Sequence, residues 1–236
     1  MDPELAAAVA ELYTVFARHP LAPGVEQRLR RPAPELASTP LRELTAYQLD
    51  PHLFLGWRDE ADFSHFLPRI LELFATGEHR EGTLLRKNLG EAHHADRPAD
   101  ERDALQRYHR ALWRHTRSAA DPVFTVADVL GACSLHDHSV LPYLADWAED
   151  PSPTAVLLLA RFVIEAGPPS WARQRFLDDV GDWLSSGAPT AALTAALATT
   201  TDPAIRAELD WAIAVLDLDW HAPSTPHAAM TRVPPM

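Results

Sequence analysis

Apolar residues recur at spacings of three and four along most of the chain, which is the period of helices that bury one face. Leu5, Val9, Leu12, Val15 and Phe16 predict an amphipathic helix over residues 3–18, ended by Pro20. Residues 19–40 break the pattern. Pro20, Pro23, Pro32, Pro34 and Pro40 lie there among Arg28, Arg30 and Arg31, and predict an extended surface connection rather than a packed element. Short helices are expected over 41–48 and 51–57, the second opening at Asp50-Pro51 with proline in its first turn. In the next helix Asp59 is placed as a cap, and Glu60 and Asp62 complement the dipole. Phe63, Phe66, Leu67, Ile70, Leu71 and Phe74 form one apolar stripe. Pro68 inside that stripe should kink the helix or start a second segment. A further helix over 98–118 turns Leu105, Tyr108, Leu112 and Trp113 toward a core.

The C-terminal half repeats itself. Residues 146–160 align with 182–196, matching Asp146 with Asp182, Trp147 with Trp183 and Pro153-Thr154-Ala155 with Pro189-Thr190-Ala191. Leu157 with Leu193 and Ala160 with Ala196 complete the matches. Asp219-Trp220 and Pro226 give a weaker third echo. A two-helix unit recurring every few tens of residues is the mark of an α-solenoid. Each first helix would end near its tryptophan, and each proline would start the second helix where a missing N–H costs little. The second helices, Ala155 to Ile164 and Ala191 to Leu197, are apolar nearly all round and are expected to form a buried inner layer.

The fold class predicted is therefore all-α, a helical-repeat array of antiparallel helix pairs (α-solenoid, HEAT-like). Residues 1–120 form an N-terminal helical region, 121–220 the repeat region, and 221–236 a proline-rich tail expected to be disordered. A chain of 236 residues buries a core large enough to fold without cofactor or disulfide.

Charge and composition narrow the chemistry. The net charge is −12, with 16 basic and 18 acidic residues in 1–120 but 5 and 15 in 121–236. Nucleic acid is disfavoured by that balance, and the acidic half suits a basic protein partner. Lys87 is the only lysine among 21 basic residues, which reads as the bias of a GC-rich genome rather than as phosphate recognition. The single Cys133, on an apolar helix over 125–133, fits buried packing in a reducing compartment. The opening Asp2-Pro3-Glu4 lacks a signal pattern, and the longest apolar run, Ala155 to Ala160, is far below the roughly 20 residues that span a bilayer. A cytoplasmic location without membrane insertion is expected.

Three constellations are candidates for chemistry. His136-Asp137, with His93, His94 and His115 upstream and Asp146 downstream, resembles part of the ligand set of all-α metal-dependent phosphohydrolases. Asp137, however, is well placed to cap a helix carrying Val140, Leu141, Leu144 and Trp147, and the array is incomplete. Arg107, Arg110, Arg114 and Arg117 fall within an arc of about 80° on one helix face, an anion-binding pattern or a solvated face in which Asp103 pairs with Arg107. Asp62, His65 and Arg69 lie on one side of their helix near Trp57, and could face a ligand together. Neither a glycine-rich phosphate loop nor a serine nucleophile elbow occurs.

The stretch from Gly56 to Leu73, with Asp62-Phe63-Ser64-His65-Phe66-Leu67-Pro68-Arg69 at its centre and Ala111-Leu112-Trp113 beyond, resembles a family of uncharacterised bacterial all-helical proteins. The resemblance covers mainly residues 41–118. It implies a bacterial source and strengthens Trp57, Asp62, His65 and Arg69 as binding residues, while bringing no activity with it. The function expected is non-catalytic protein–protein interaction, in one version an immunity or antitoxin-like role, with no cofactor and no metal. The alternative is a metal-dependent hydrolase of the all-helical His-Asp type.

Overall fold

The computed structural model describes residues 1–21, 23–24, 33–55, 60–79, 96–137, 139–165 and 174–217, and every regular element among them is helical. In chain order these are α1 Pro3–Val15, α2 Pro34–Ser38, α3 Ala46–Leu55, α4 Glu60–Thr76, α5 Ala99–Ser118 and α6 Val126–Asp137. The remainder are α7 Leu141–Ala148, α8 Pro153–Glu165, α9 Gln174–Ser185, α10 Ala188–Thr199 and α11 Pro203–Leu216. Single 3₁₀ turns occupy Phe16–Arg18 and Leu41–Glu43. No described helix is long and apolar enough to cross a membrane.

The start of α1 follows directly from its first residues. Asp2 adopts extended backbone and its carboxylate accepts the Leu5 N–H at 2.8 Å, while Pro3 fills the first helical position. Leu5, Ala8, Val9 and Leu12 are then buried against α4 and α5. Helix α5 is the centre of the molecule, packing on α1, α6, α7 and α8. It buries Leu105, Tyr108, Leu112 and Trp113, the four residues that the sequence turns inward. The Tyr108 hydroxyl donates to the Leu71 carbonyl of α4 at 2.9 Å, and burial pushes this phenol well above its ordinary range.

Several expectations need correction. Pro51 and Pro68 do not divide their helices, since α3 and α4 run through them. In α3 the carbonyl that Pro51 leaves without an N–H is that of Tyr47, a residue 86% exposed, so water can serve it. In α4, Pro68 is buried and its ring contributes to the core face. The proline-rich connection is not wholly extended either: Ala33 and Leu36 are buried, and Pro34 starts the short α2 between them. Arg28, Arg30 and Arg31 lie outside the described residues. Asp137 ends α6 instead of capping α7. At the start of α7 the Val140 N–H and the Ser139 hydroxyl both donate to Asp179 of α9, at 3.0 and 2.7 Å.

In the repeated half α7 packs beside α9 and α8 beside α10, while α11 packs across α8 and α10. Pro153 opens α8, and Pro189 sits in the first turn of α10, as the repeat predicts. Gly187, at φ 80°, makes the left-handed turn between α9 and α10. The buried inner layer is only half realised. Helix α8 buries Ala155, Val156, Leu158, Leu159, Ala160 and Val163, but α10 buries only Pro189 and Leu193. The apolar count of α10 comes from alanine, which tolerates water as readily as a core. Asp219, Trp220, Pro226 and the tail lie outside the described residues.

Candidate functional site

Helices α1, α4 and α5 converge on a buried polar network. Glu101, in the first turn of α5, is fully buried and accepts from Arg97 Nη1 at 3.0 Å. The same Arg97 nitrogen donates to Ser64 Oγ of α4, also at 3.0 Å. His19 Nε2 lies 2.8 Å from the other Glu101 oxygen, an acceptor to which the ring donates. The N-terminus of α5 and the Arg97 guanidinium both attract this carboxylate.

Of the predicted binding residues, His65 is built into this junction. His65 Nδ1 is 2.8 Å from the His19 carbonyl, so the ring donates there and fixes the exit of α1 onto α4. Its ring also meets Phe66 edge-on at 4.9 Å. Asp62 is buried at 3% exposure. Arg69 donates through Nε to the Leu44 carbonyl at 2.7 Å and through Nη1 to Glu72 at 2.6 Å, with its side chain only 11% exposed. Glu72 in turn accepts from the Tyr13 hydroxyl at 2.6 Å, and Arg42 lies 3.7 Å over the Tyr13 ring. Burial, then the Glu72 hydrogen bond, pushes the Tyr13 phenol up. Trp57 lies outside the described residues. Asp62, His65 and Arg69 share a helix side as predicted, but Arg69 belongs to a second cluster, with Tyr13, Arg42 and Glu72.

Three arginines of the α5 stripe, Arg107, Arg114 and Arg117, are held by internal partners, while Arg110 is exposed. Arg107 makes a bidentate pair with Glu11 at 2.8 and 2.7 Å, and Arg114 makes one with Glu4. Both pairs join α5 to α1, and the seven-residue spacing on each helix shows that the two run antiparallel. His115 with Asp2, and Arg18 with Asp100, continue the ladder at its two ends. Glu11, rather than Asp103, is the main partner of Arg107 and raises its already high pKa. Arg117 crosses to α7 instead, donating to the Asp146 carbonyl at 2.6 Å and lying 3.3 Å from its carboxylate.

Cys133 is buried in α6 with Sγ 4.0 Å from the His109 carbonyl, as a packing thiol would be. The His136 and Asp137 side chains, like His93 and His94, lie outside the described residues. Among the described residues no three His, Cys, Asp or Glu side chains are grouped to hold a metal ion.

The exposed acidic residues form the other candidate surface. Asp146 and Asp182 hold equivalent places in the repeat, both are exposed, and they lie on the adjacent helices α7 and α9. Glu149, just beyond α7, and Asp178 of α9 are exposed as well. The repeated tryptophans of the same two helices touch: the rings of Trp147 and Trp183 stack at 5.9 Å and 17°.

No protein-family model, curated protein or solved structure matches this chain.

Proposed function

We propose that the chain is a non-catalytic helical-repeat protein that binds a basic protein partner through the acidic face of α7 and α9. What supports this reading is that Asp146 and Asp182, equivalent in the sequence repeat, are both exposed on the neighbouring helices α7 and α9, whose Trp147 and Trp183 rings stack. Stacked helical units present extended surfaces whose shape is set by a rigid interior, and surface carboxylates at repeat positions speed encounter with a cationic partner. An immunity or antitoxin-like role, masking a basic toxin, is the specific form of this proposal. The resemblance over residues 41–118 and a cytoplasmic location belong to the same proposal.

The test is affinity capture with the full chain as bait from its source organism, followed by titration of any captured protein. A basic partner whose binding weakens with rising salt, and falls about tenfold or more in the double variant Asp146→Lys, Asp182→Lys, is the expected result. Capture unaffected by that variant, or stoichiometric transition metal that is lost on His136→Ala, would overturn it.

A further inference from the structure

Trp113, Trp147 and Trp183 are buried, whereas Trp211 on α11 is 58% exposed. It is not an isolated apolar residue. Pro203, Ala204, Ala207 and Ala214 of the same helix are exposed too. At 100° per residue these five positions occupy an uncharged arc of about 100°. The opposite side of α11 carries Leu209, Ala212, Val215 and Leu216 into the core beside α8 and α10. Helix α10, packed against α11, contains no charged residue, and its Ala191, Ala195 and Ala198 are exposed.

We propose that two copies of this chain associate through α11, running antiparallel about a two-fold axis near Ala207. Charge selects this occupant. The molecule carries −12, so identical copies repel over most of their surface and meet at least cost where charge is absent. A two-fold interface must also be self-complementary, and α11 is. Trp211 and Ala204 are two turns apart, so an antiparallel pairing sets each indole over the other copy's Ala204, a large knob over a small residue. Arg206 and Asp210 are exposed along one edge of the apolar arc, opposite in sign and one turn apart. The same pairing therefore lays each Asp210 beside the other copy's Arg206. Arg206 is held in place for this, because its Nη1 already donates to the Leu197 and Thr200 carbonyls at 2.8 and 2.9 Å.

Sedimentation equilibrium of the full chain tests the pairing. The expected result is a mass that rises from 26.1 kDa toward twice that value as concentration approaches about 100 µM. Trp211→Ala should weaken association roughly thirtyfold, as loss of a central aromatic anchor does. Ala207→Glu, which places like charges at the axis, should leave a single-chain mass with an unchanged far-ultraviolet circular dichroism spectrum. Because Cys133 is buried, Ala207→Cys adds one exposed thiol, and mild oxidation should yield a disulfide-linked pair that Ala145→Cys on α7 does not. A constant mass of one chain at every concentration, or a dimer that survives both Trp211→Ala and Ala207→Glu, would overturn the proposal. Coverage of α11 by another part of the same chain gives the first of these results.

Discussion

Trp147 and Trp183 stand 36 residues apart in sequence and lie face to face, but only one of them satisfies its indole N–H. Trp147 Nε1 donates to the Ala155 carbonyl at 2.9 Å, tying the end of α7 to the start of α8. Trp183 Nε1 is buried with no hydrogen-bond partner among the described residues. Trp147 also meets Trp113 edge-on at 5.3 Å and Phe162 at 5.5 Å, so it joins α5, α8 and α9 through one side chain. Trp147→Ala is expected to cost about 3–5 kcal/mol and Trp183→Ala less, measured by urea unfolding. Stacked indoles couple electronically, so either change should also remove the paired signal in near-ultraviolet circular dichroism.

Glu101 gives a second expectation. Glu101→Ala leaves the Arg97 guanidinium buried without its carboxylate, at a cost of about 3–5 kcal/mol. Replacing both residues by apolar side chains of similar size, Arg97→Met with Glu101→Leu, should recover most of that loss. Thermal and urea unfolding of the single and double variants would show it, and an unrecovered double variant would contradict this account of the junction.

The ladder between α1 and α5 should behave differently, because its members are exposed. Arg107 and Arg114 side chains are 53% and 45% accessible. Glu11→Gln or Glu4→Gln is therefore expected to cost at most about 1 kcal/mol, and less at high salt. Its value lies in register, since acid on α1 and base on α5 alternate with seven-residue spacing. A charge exchange within one pair, Glu11→Arg with Arg107→Glu, should be nearly neutral, whereas either half alone should be worse than the neutral glutamine.

Acid should weaken both ends of the same ladder. Burial works to raise the Asp2 pKa, but hydrogen bonds from the Leu5 N–H and from His115 outweigh it and hold the carboxyl below its ordinary value. The Arg18 hydrogen bond does the same for Asp100. With folded pKa values depressed, the unfolded chain binds more protons, so this stability is full above the unfolded value of about 4 and is lost as pH falls through the folded values. Asp2→Asn keeps an N-cap acceptor yet removes the titration, and should flatten the dependence of urea midpoints on pH below about 4.

Gly187 offers a local test of the repeat turn. Its φ of 80° places it in the left-handed region, and an added Cβ meets nothing within 4 Å. Gly187→Ala should therefore cost only backbone strain, about 1–2 kcal/mol by unfolding, with the fold retained.

How much of this was legible in the sequence depends on the distance over which each contact acts. The inward faces of α1 and α5, the proline starts of α8 and α10, and the place of Trp147 and Trp183 near the ends of α7 and α9 follow local period and repeat. The partners of Arg107 and Arg114 did not, because Glu11 and Glu4 lie about a hundred residues away and no spacing rule reaches that far. Nor did the commitment of His65 and Arg69 to carbonyls at His19 and Leu44, since His19 lies in the connection that breaks the period, and Leu44, expected inside a helix over 41–48, lies between a 3₁₀ turn and α3. The exposure of α10 escaped for another reason: hydropathy scores alanine and leucine on one scale, although only the larger side chain gains much from burial.

The antiparallel seating of α1 against α5 has a consequence for the order of assembly. Glu4 cannot meet Arg114 until the intervening chain has been made and brought back on itself, a long closure with a correspondingly high entropy cost. Helices α7 to α11 find neighbours within a few tens of residues. During refolding the C-terminal half should gain amide protection first and α1 last, as pulsed hydrogen exchange would resolve. During synthesis α1 is made well before the α5 surface that covers it, and until then Leu5, Val9 and Leu12 wait uncovered in water.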